Sequence, residues 1–202
     1  MKKFLRLIQS ASIIYSVFSC SPSTQFSDIY ADESFIGKEL KKILVVGAAK
    51  EEWKRKVYEN EFRSRLMFYN VEVLTAWQEI PKGQELNKDT FEKYFKDKNV
   101  DAVLVIIAAG ESTFKTMYSG ASSNVYVGFY GFYFSTASVY YNAGYMAEET
   151  IVHMGTNLYE TKEGKLIWSA KSQSYEPENT GDVVKTVSNN VVNELNRQGF
   201  IK

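Results

Sequence analysis

Apolar and polar residues alternate in two different ways along the first half of the folded region. Residues 43–49 and 102–108 are unbroken apolar runs, which are typical of strands buried on both faces of a sheet. Between these runs, apolar residues recur at helical spacing over 51–69, residues 71–76 indicate another strand, and a further helix begins after Asn87. The order strand–helix–strand–helix–strand predicts parallel strands joined by helices.

The pattern changes after this region. Residues 150–160 alternate loosely between apolar and polar, and 166–170 form a short apolar run. The sequence TKEG, which ends at Gly164, separates the two segments, and its glycine suits the turn of an antiparallel hairpin.

A last helix follows, and either Asn179 or Thr180 caps it. Its valines and Leu195 form one apolar stripe, and Gly199 stands where a helix C-terminal glycine is expected. We therefore predict an α/β fold over residues 42–202. It is a small sandwich with a mixed sheet, βαβαβ followed by an antiparallel ββ hairpin and a C-terminal helix.

The N-terminal 20 residues have the pattern of an export signal. Lys2, Lys3 and Arg6 precede an apolar run of about 12 residues, which is too short to span a bilayer as a helix. The sequence Val17-Phe18-Ser19-Cys20 resembles the lipobox of a bacterial lipoprotein signal peptide. In that family the cysteine sulfur receives a diacylglycerol, and the signal is cut just before the cysteine. The resemblance implies a signal peptide over residues 1–19 and lipidation of Cys20.

Two alternatives to lipidation remain, a buried N-terminal helix with an inert cysteine and an ordinary cleaved signal. Cys20 is the single cysteine of the chain, so it can form neither an internal disulfide nor a Cys-x-x-Cys motif. Ser21 stands where some lipoproteins have an aspartate that retains them in the inner membrane, which favours the outer membrane. Whether the domain lies on the periplasmic or the surface face stays open. Residues 20–41 are polar and poorly periodic, and we expect them to form a lipidated flexible tether.

The folded region also has family resemblances. The segments NVDAVLVI and NLYETKEGKLIWSAKSQSYEP resemble those of uncharacterised small envelope lipoproteins. The order of elements resembles the amino-terminal α/β domain of the Tol-system translocation protein and the periplasmic domain of the curli secretion lipoprotein. These resemblances are architectural and imply no catalytic residues.

Charge and candidate catalytic groups exclude several classes of function. Residues 1–19 carry three basic and no acidic residues, so their removal from a chain with 24 basic and 24 acidic residues leaves a net charge near −3. A nucleic-acid binder would instead show a concentrated basic face. His153 is the single histidine, nothing around it indicates a catalytic triad, and we expect a structural or merely polar role. The acidic clusters at 51–52, 148–149 and 176–178 are expected to be solvated. We predict no enzyme, no metal and no cofactor.

The segment 114–147 is unusually aromatic. It has no charged residue from Thr116 to Ala147, and it contains 11 of the 14 tyrosines and 13 phenylalanines of the chain. It could be a long loop, could complete the sheet, or could expose an aromatic surface to a protein, a glycan or the lipid interface. The candidate contact residues are Tyr126, Phe129, Tyr130, Phe132, Tyr133, Phe134, Tyr140 and Tyr141.

These observations predict a lipid-anchored protein of the cell envelope, attached to the outer membrane. Its α/β domain would be a non-enzymatic binding or assembly module with an envelope protein or a glycan as partner. The alternatives are a subunit of an oligomeric secretion pore and an unrecognised hydrolase. A pore would require transmembrane strands that alternate apolar and polar residues, and the aromatic segment has aromatic residues or glycine on both faces.

Overall fold

The computed structural model describes residues 23–49, 51–81, 84, 88–109, 151–175 and 177–202. The signal peptide predicted at 1–19, Cys20 and the aromatic insertion predicted at 114–147 lie outside these residues. The described strands are β1 (Ser23–Ala31), β2 (Lys42–Ala48), β3 (Glu72–Thr75), β4 (Ala102–Ala109), β5 (Ile151–Glu160) and β6 (Leu166–Tyr175). The described helices are α1 (Glu52–Met67), α2 (Ala76–Glu79), α3 (Lys88–Phe95) and α4 (Thr180–Arg197). None of them is both long enough and apolar enough to cross a membrane.

The strands form one mixed sheet in the order β1-β6-β5-β4-β2-β3. β2 pairs in parallel with β3 on one side and with β4 on the other. The β4–β5, β5–β6 and β6–β1 pairs are antiparallel. The predicted α/β class, with a parallel half, an antiparallel hairpin and a C-terminal helix, is confirmed.

The two long helices α1 and α4 cover one face of the sheet, which we call the first face. Apolar side chains of β2, β4 and β6 meet those of both helices in one cluster, in which Trp168 is the largest fully buried side chain. Full burial of one such apolar side chain contributes roughly 1.5–3 kcal/mol. The predicted valine stripe of α4 and the helical face of α1 at Phe62 and Leu66 all lie in this cluster.

The opposite, second face has a smaller apolar cluster. Alternate residues of β2 and β4 pack there with Ala76 of α2, Phe95 of α3 and Tyr159 of β5. Because β2 and β4 are buried on both faces, their sequences are continuous apolar runs rather than alternating ones. The sequence interpretation of these two strands depended on that property.

Helix α4 has the ends that its sequence predicts. The Asn179 side chain accepts a hydrogen bond from the Asp182 N–H at 3.0 Å, so Asn179 rather than Thr180 is the N-cap. Gly199 has φ +79°, and a Cβ there would lie 3.0 Å from the Cα of Gly37. Glycine is therefore required at 199 both by the backbone conformation and by the close approach of another chain segment.

The flexible tether predicted over residues 20–41 is wrong for residues 23–41, which belong to the folded body. β1 pairs with β6 along its length, and Leu40, which is buried, donates its backbone N–H to the carbonyl of Phe200. The strand was not recognised because its sequence is polar and its register shifts between Phe26 and Asp28. At the sheet edge it has one strand neighbour and few contacts with the core, chiefly through Phe26 and Ala31.

We predict that the domain needs β1 for its stability. A chain that starts at Ser23 should melt at the same temperature as the chain that starts at Cys20. A chain that starts at Asp32 should lose several kcal/mol, since the β1–β6 ladder and the packing of Phe26 are removed. Each kcal/mol lowers the melting temperature of a domain of this size by roughly 2–4 °C. Thermal unfolding followed by circular dichroism measures the difference, and equal melting of the two shorter chains would contradict the prediction.

Candidate functional site: the carboxyl edge of the sheet

The end of the sheet at which the parallel strands β2, β3 and β4 finish is called the carboxyl edge. β5 and β1 begin at this edge and β6 ends at it, because Ile151 and Ser23 are both register partners of Tyr175. The strand β4, whose last residue is paired with His153, also points toward it. The start of the folded body and both ends of the aromatic segment are therefore located at one edge.

Three strands extend beyond the others at the carboxyl edge. The last residue of β2, Ala48, is in line with Ile107 of β4 and hence with Gly155 of β5. β5 starts four residues further out at Ile151, which at 3.3 Å per residue is about 13 Å. The ends of β1, β5 and β6 at Ser23, Ile151 and Tyr175 thus project from the domain, and we call them the tip.

Thr24 attaches the beginning of β1 to the rest of the tip. Its hydroxyl lies 2.7 Å from the Ser174 hydroxyl of β6 and 2.7 Å from the Thr186 hydroxyl of α4. The Asn190 side chain of α4 donates a hydrogen bond to the Thr24 carbonyl at 3.2 Å. These four residues, the Thr24 cluster, hold the first turn of the chain against both a strand and a helix.

A buried carboxylate joins three elements just below the carboxyl edge. Glu59 of α1 is fully buried, and its Oε1 accepts a hydrogen bond from the Gly47 N–H of β2 at 3.0 Å. Its Oε2 accepts one from the Trp77 N–H of α2 at 2.8 Å. The Arg55 Nε is 3.8 Å from Oε1, an ionic contact that is too long for a hydrogen bond.

Gly47 makes this arrangement possible. A Cβ at this position would lie 3.2 Å from the Cα of Arg55 and 3.4 Å from the Cβ of Tyr58. Because the glycine has no side chain, α1 approaches β2 closely enough for Glu59 to reach the Gly47 N–H. The carboxylate therefore satisfies two backbone donors that would otherwise be buried without acceptors.

Burial raises the pKa of Glu59 from the ordinary 4.5 to about 7. The backbone hydrogen bonds from Gly47 and Trp77 and the positive charge of Arg55 lower the pKa, but they do not cancel the loss of solvation. Near neutral pH the folded protein therefore contains both the protonated and the ionised form of this side chain.

The residues predicted from the sequence are placed as follows. Cys20 and the eight candidate aromatic contacts at 126–141 lie outside the described residues. His153 is buried on the second face of β5, where its backbone pairs with Ala109 and Gln173. Glu51 and Glu52 are about half exposed and pair with Lys54 and Lys56 on the surface of α1, as expected for solvated charge.

Other acidic residues have structural contacts at the opposite end of the sheet. The Glu160 carboxylate accepts hydrogen bonds from the backbone N–H groups of Lys162 and Glu163 at 2.7 Å and stabilises the hairpin turn. Within the described parts of the chain, no group of three or more histidine, cysteine or acidic side chains is arranged to hold a metal ion.

Sequence reasoning missed Glu59 and the Thr24 cluster. Glu59 was grouped with the polar residues of α1, although it lies three residues before Phe62 and seven before Leu66 and so shares their buried face. An acidic residue at an apolar position of a helix is the signal that could have identified it. Thr24 had no comparable signal, because its partners are more than 140 residues away in the chain.

Comparisons with known proteins identify no family for this chain. No protein-family model matches it, and no curated protein matches its sequence. Among solved structures, a PelC dodecamer from Paraburkholderia phytofirmans has a TM-score of 0.44 at 11% identity and covers 85% of this chain and 95% of its own. A single-residue variant of that dodecamer has a TM-score of 0.42 at 10% identity and covers 88% and 98%. Similarity at this level carries no functional argument.

We predict that Glu59 makes the stability of the domain fall as pH rises. The folded-state pKa lies above the unfolded value, so the folded protein binds more protons between about pH 4.5 and pH 7. The contribution is fully present below about pH 4.5 and is lost as pH rises through 7, with a total of about 3 kcal/mol. Glu59→Gln should remove this dependence, because its amide does not ionise. The variant should also be about 1–3 kcal/mol less stable at pH 5, since its amide cannot accept both N–H groups.

Urea unfolding at pH 5, 6, 7 and 8 measures both effects. Glu52→Gln is the matched control, since it makes the same chemical change in the same helix at a half-exposed surface position. The control should retain the pH slope of the wild type. If Glu59→Gln retained it as well, another group would be responsible.

Proposed function

We propose that this protein is a lipid-anchored, non-enzymatic component of the bacterial cell envelope, attached to the outer membrane through Cys20. In this proposal its α/β domain is a binding or assembly module whose contact surface is the aromatic segment 114–147. The partner would be an envelope protein or a glycan, because tyrosine rings offer apolar area together with a hydrogen-bonding tip.

The observation that carries the proposal is the placement of chain ends at the carboxyl edge. The domain starts at Ser23, three residues after Cys20, and the strands that flank the aromatic segment end and begin at the same edge. An anchor and a contact segment that leave the domain together can act at one surface. The apolar clusters on both faces already supply a core for the domain among the described residues.

The surroundings of Glu59 support the non-enzymatic part of the proposal. A carboxyl group with a pKa near neutrality is often a catalytic acid or base. Here both carboxylate oxygens accept backbone hydrogen bonds, and the side chain has no exposed area. A substrate could reach it only after β2, α1 and α2 separate, so a structural role accounts better for its raised pKa.

We expect Cys20→Ala to abolish lipid attachment. Cells grown with radioactive palmitate should label the wild type but not the variant, which should accumulate as uncut precursor or as released protein. Ser21→Ala is the matched control and should be labelled like the wild type, since it keeps the cysteine. A wild-type protein that carries no label but remains in the membrane fraction would contradict the proposed anchor.

We also expect the aromatic segment to be the part of the protein that contacts its partner. A photoreactive phenylalanine analogue in place of Tyr133 should give cross-linked adducts with envelope material in intact cells. The same analogue in place of Phe68, which is 80% exposed beyond the C-terminus of α1, should give none or far fewer. Equal yields at the two positions would show that the cross-links report exposure and not recognition. Adducts at Phe68 alone would place the contact surface at the other end of the domain.

A further inference from the structure

We propose that the tip rests directly on the bilayer, so that the strands stand along the membrane normal with the carboxyl edge toward the lipid. This inference rests on the proposed anchoring through Cys20. It adds a defined orientation and a protein surface, formed around Ser23, Ile151 and Tyr175, that contacts lipid headgroups.

The length of chain between the anchor and the domain limits how far the tip can be from the bilayer. From Cys20 to Ser23 there are three residue steps, which span at most about 11 Å when fully extended. A lipidated cysteine lies at the surface of the acyl layer, and the headgroup region above it is about 5–8 Å deep on each side of the bilayer. The first residue of β1 is therefore held within or immediately above the headgroups.

The Thr24 cluster prevents the domain from swinging away on β1. The Thr24 hydroxyl is hydrogen-bonded to Ser174 and Thr186, and its carbonyl accepts from Asn190. Peeling the first residues of β1 from the sheet would break these contacts, each of which contributes about 1 kcal/mol. The rigid part of the molecule consequently begins at the tip.

The dimensions of the domain make the orientation measurable. β6 has 10 residues and α4 has 18, so the strand is about 33 Å long and the helix about 27 Å. Phe68 follows the C-terminus of α1, at the end of the sheet where β3 begins. In the proposed orientation Phe68 is therefore about 30 Å from the headgroups, whereas Tyr175 is among them.

The side chains near the tip suit uncharged lipid surfaces. Tyr175 is 38% exposed, and its hydroxyl donates a hydrogen bond to Gln173 at 3.0 Å, so it presents an apolar ring with a polar end. Such side chains are favoured at membrane interfaces. The nearest charged residues at the start of α4, Glu178 and Asp182, are acidic, which gives no attraction to anionic lipids. We therefore expect contact with phosphatidylethanolamine or phosphatidylcholine that does not strengthen when phosphatidylglycerol is added.

Two tryptophan positions test the orientation. In a protein that carries Trp53→Phe and Trp77→Phe, tryptophan is introduced at the tip by Tyr175→Trp or at the opposite end by Phe68→Trp. Trp168 remains in both as a fully buried reference. The palmitate-labelled proteins are purified from membranes and reconstituted in phosphatidylcholine vesicles whose acyl chains are brominated close to the headgroup. Bromine quenches tryptophan only at short range, so we expect Tyr175→Trp to lose severalfold more emission than Phe68→Trp.

Equal quenching of the two proteins, stronger quenching of Phe68→Trp or no quenching of either would overturn the proposed orientation. The palmitate label in the same samples separates this result from a failure of the anchor. If no label were present, the same pair of proteins, starting at Cys20, would be coupled through the single thiol to a maleimide-bearing lipid. The quenching comparison would then decide the orientation by the same criteria.

Discussion

The antiparallel pairing of β1 with β6 is the constraint on which the presentation of the whole domain depends. It makes the first described residue part of the sheet, so little chain remains between Cys20 and a rigid body. A polar segment near an anchor is easily mistaken for a spacer. Here it is an edge strand, and hydrogen bonds from β6 and α4 hold its beginning. Whatever acts at the anchor therefore acts next to folded protein.

The carboxyl edge combines this constraint with a second, independent one at Glu59. The buried carboxylate joins β2, α1 and α2 through backbone hydrogen bonds, and the nearest cation is not within bonding distance. Amide donors are fixed dipoles, so they hold either protonation state in place, whereas a closely paired arginine would strongly favour the ionised form. This explains how a fully buried acid can have a pKa near neutrality and still belong to the core.

The sequence predicted the elements whose burial is uniform and missed those whose burial depends on distant partners. The apolar runs of β2 and β4 and the stripe of α4 identify themselves locally, and so do Asn179 and Gly199 as the ends of a helix. β1 could not be identified in this way, because its polar sequence is a strand only when β6 is beside it. Glu59 was misplaced for a related reason: a carboxylate is normally solvated, and only the backbone donors of β2 and α2 make its burial acceptable. The candidate site was predicted in part, since Cys20 and the aromatic segment are visible in the sequence but their common edge is not.

The position of β1 also has a consequence for the order of events during export. Thr24 and its partner Ser174 are 150 residues apart, so β1 can dock only after nearly the whole chain has crossed the inner membrane. Contacts with such a large sequence separation form slowly, because a long loop must close first. During that interval Cys20 is followed by unfolded chain, which an enzyme embedded in the membrane could accommodate. Once β1 has paired, the same residues lie against a folded tip. The late closure of the sheet would thus leave a period in which the N-terminus can be processed and would end that period when the domain is complete.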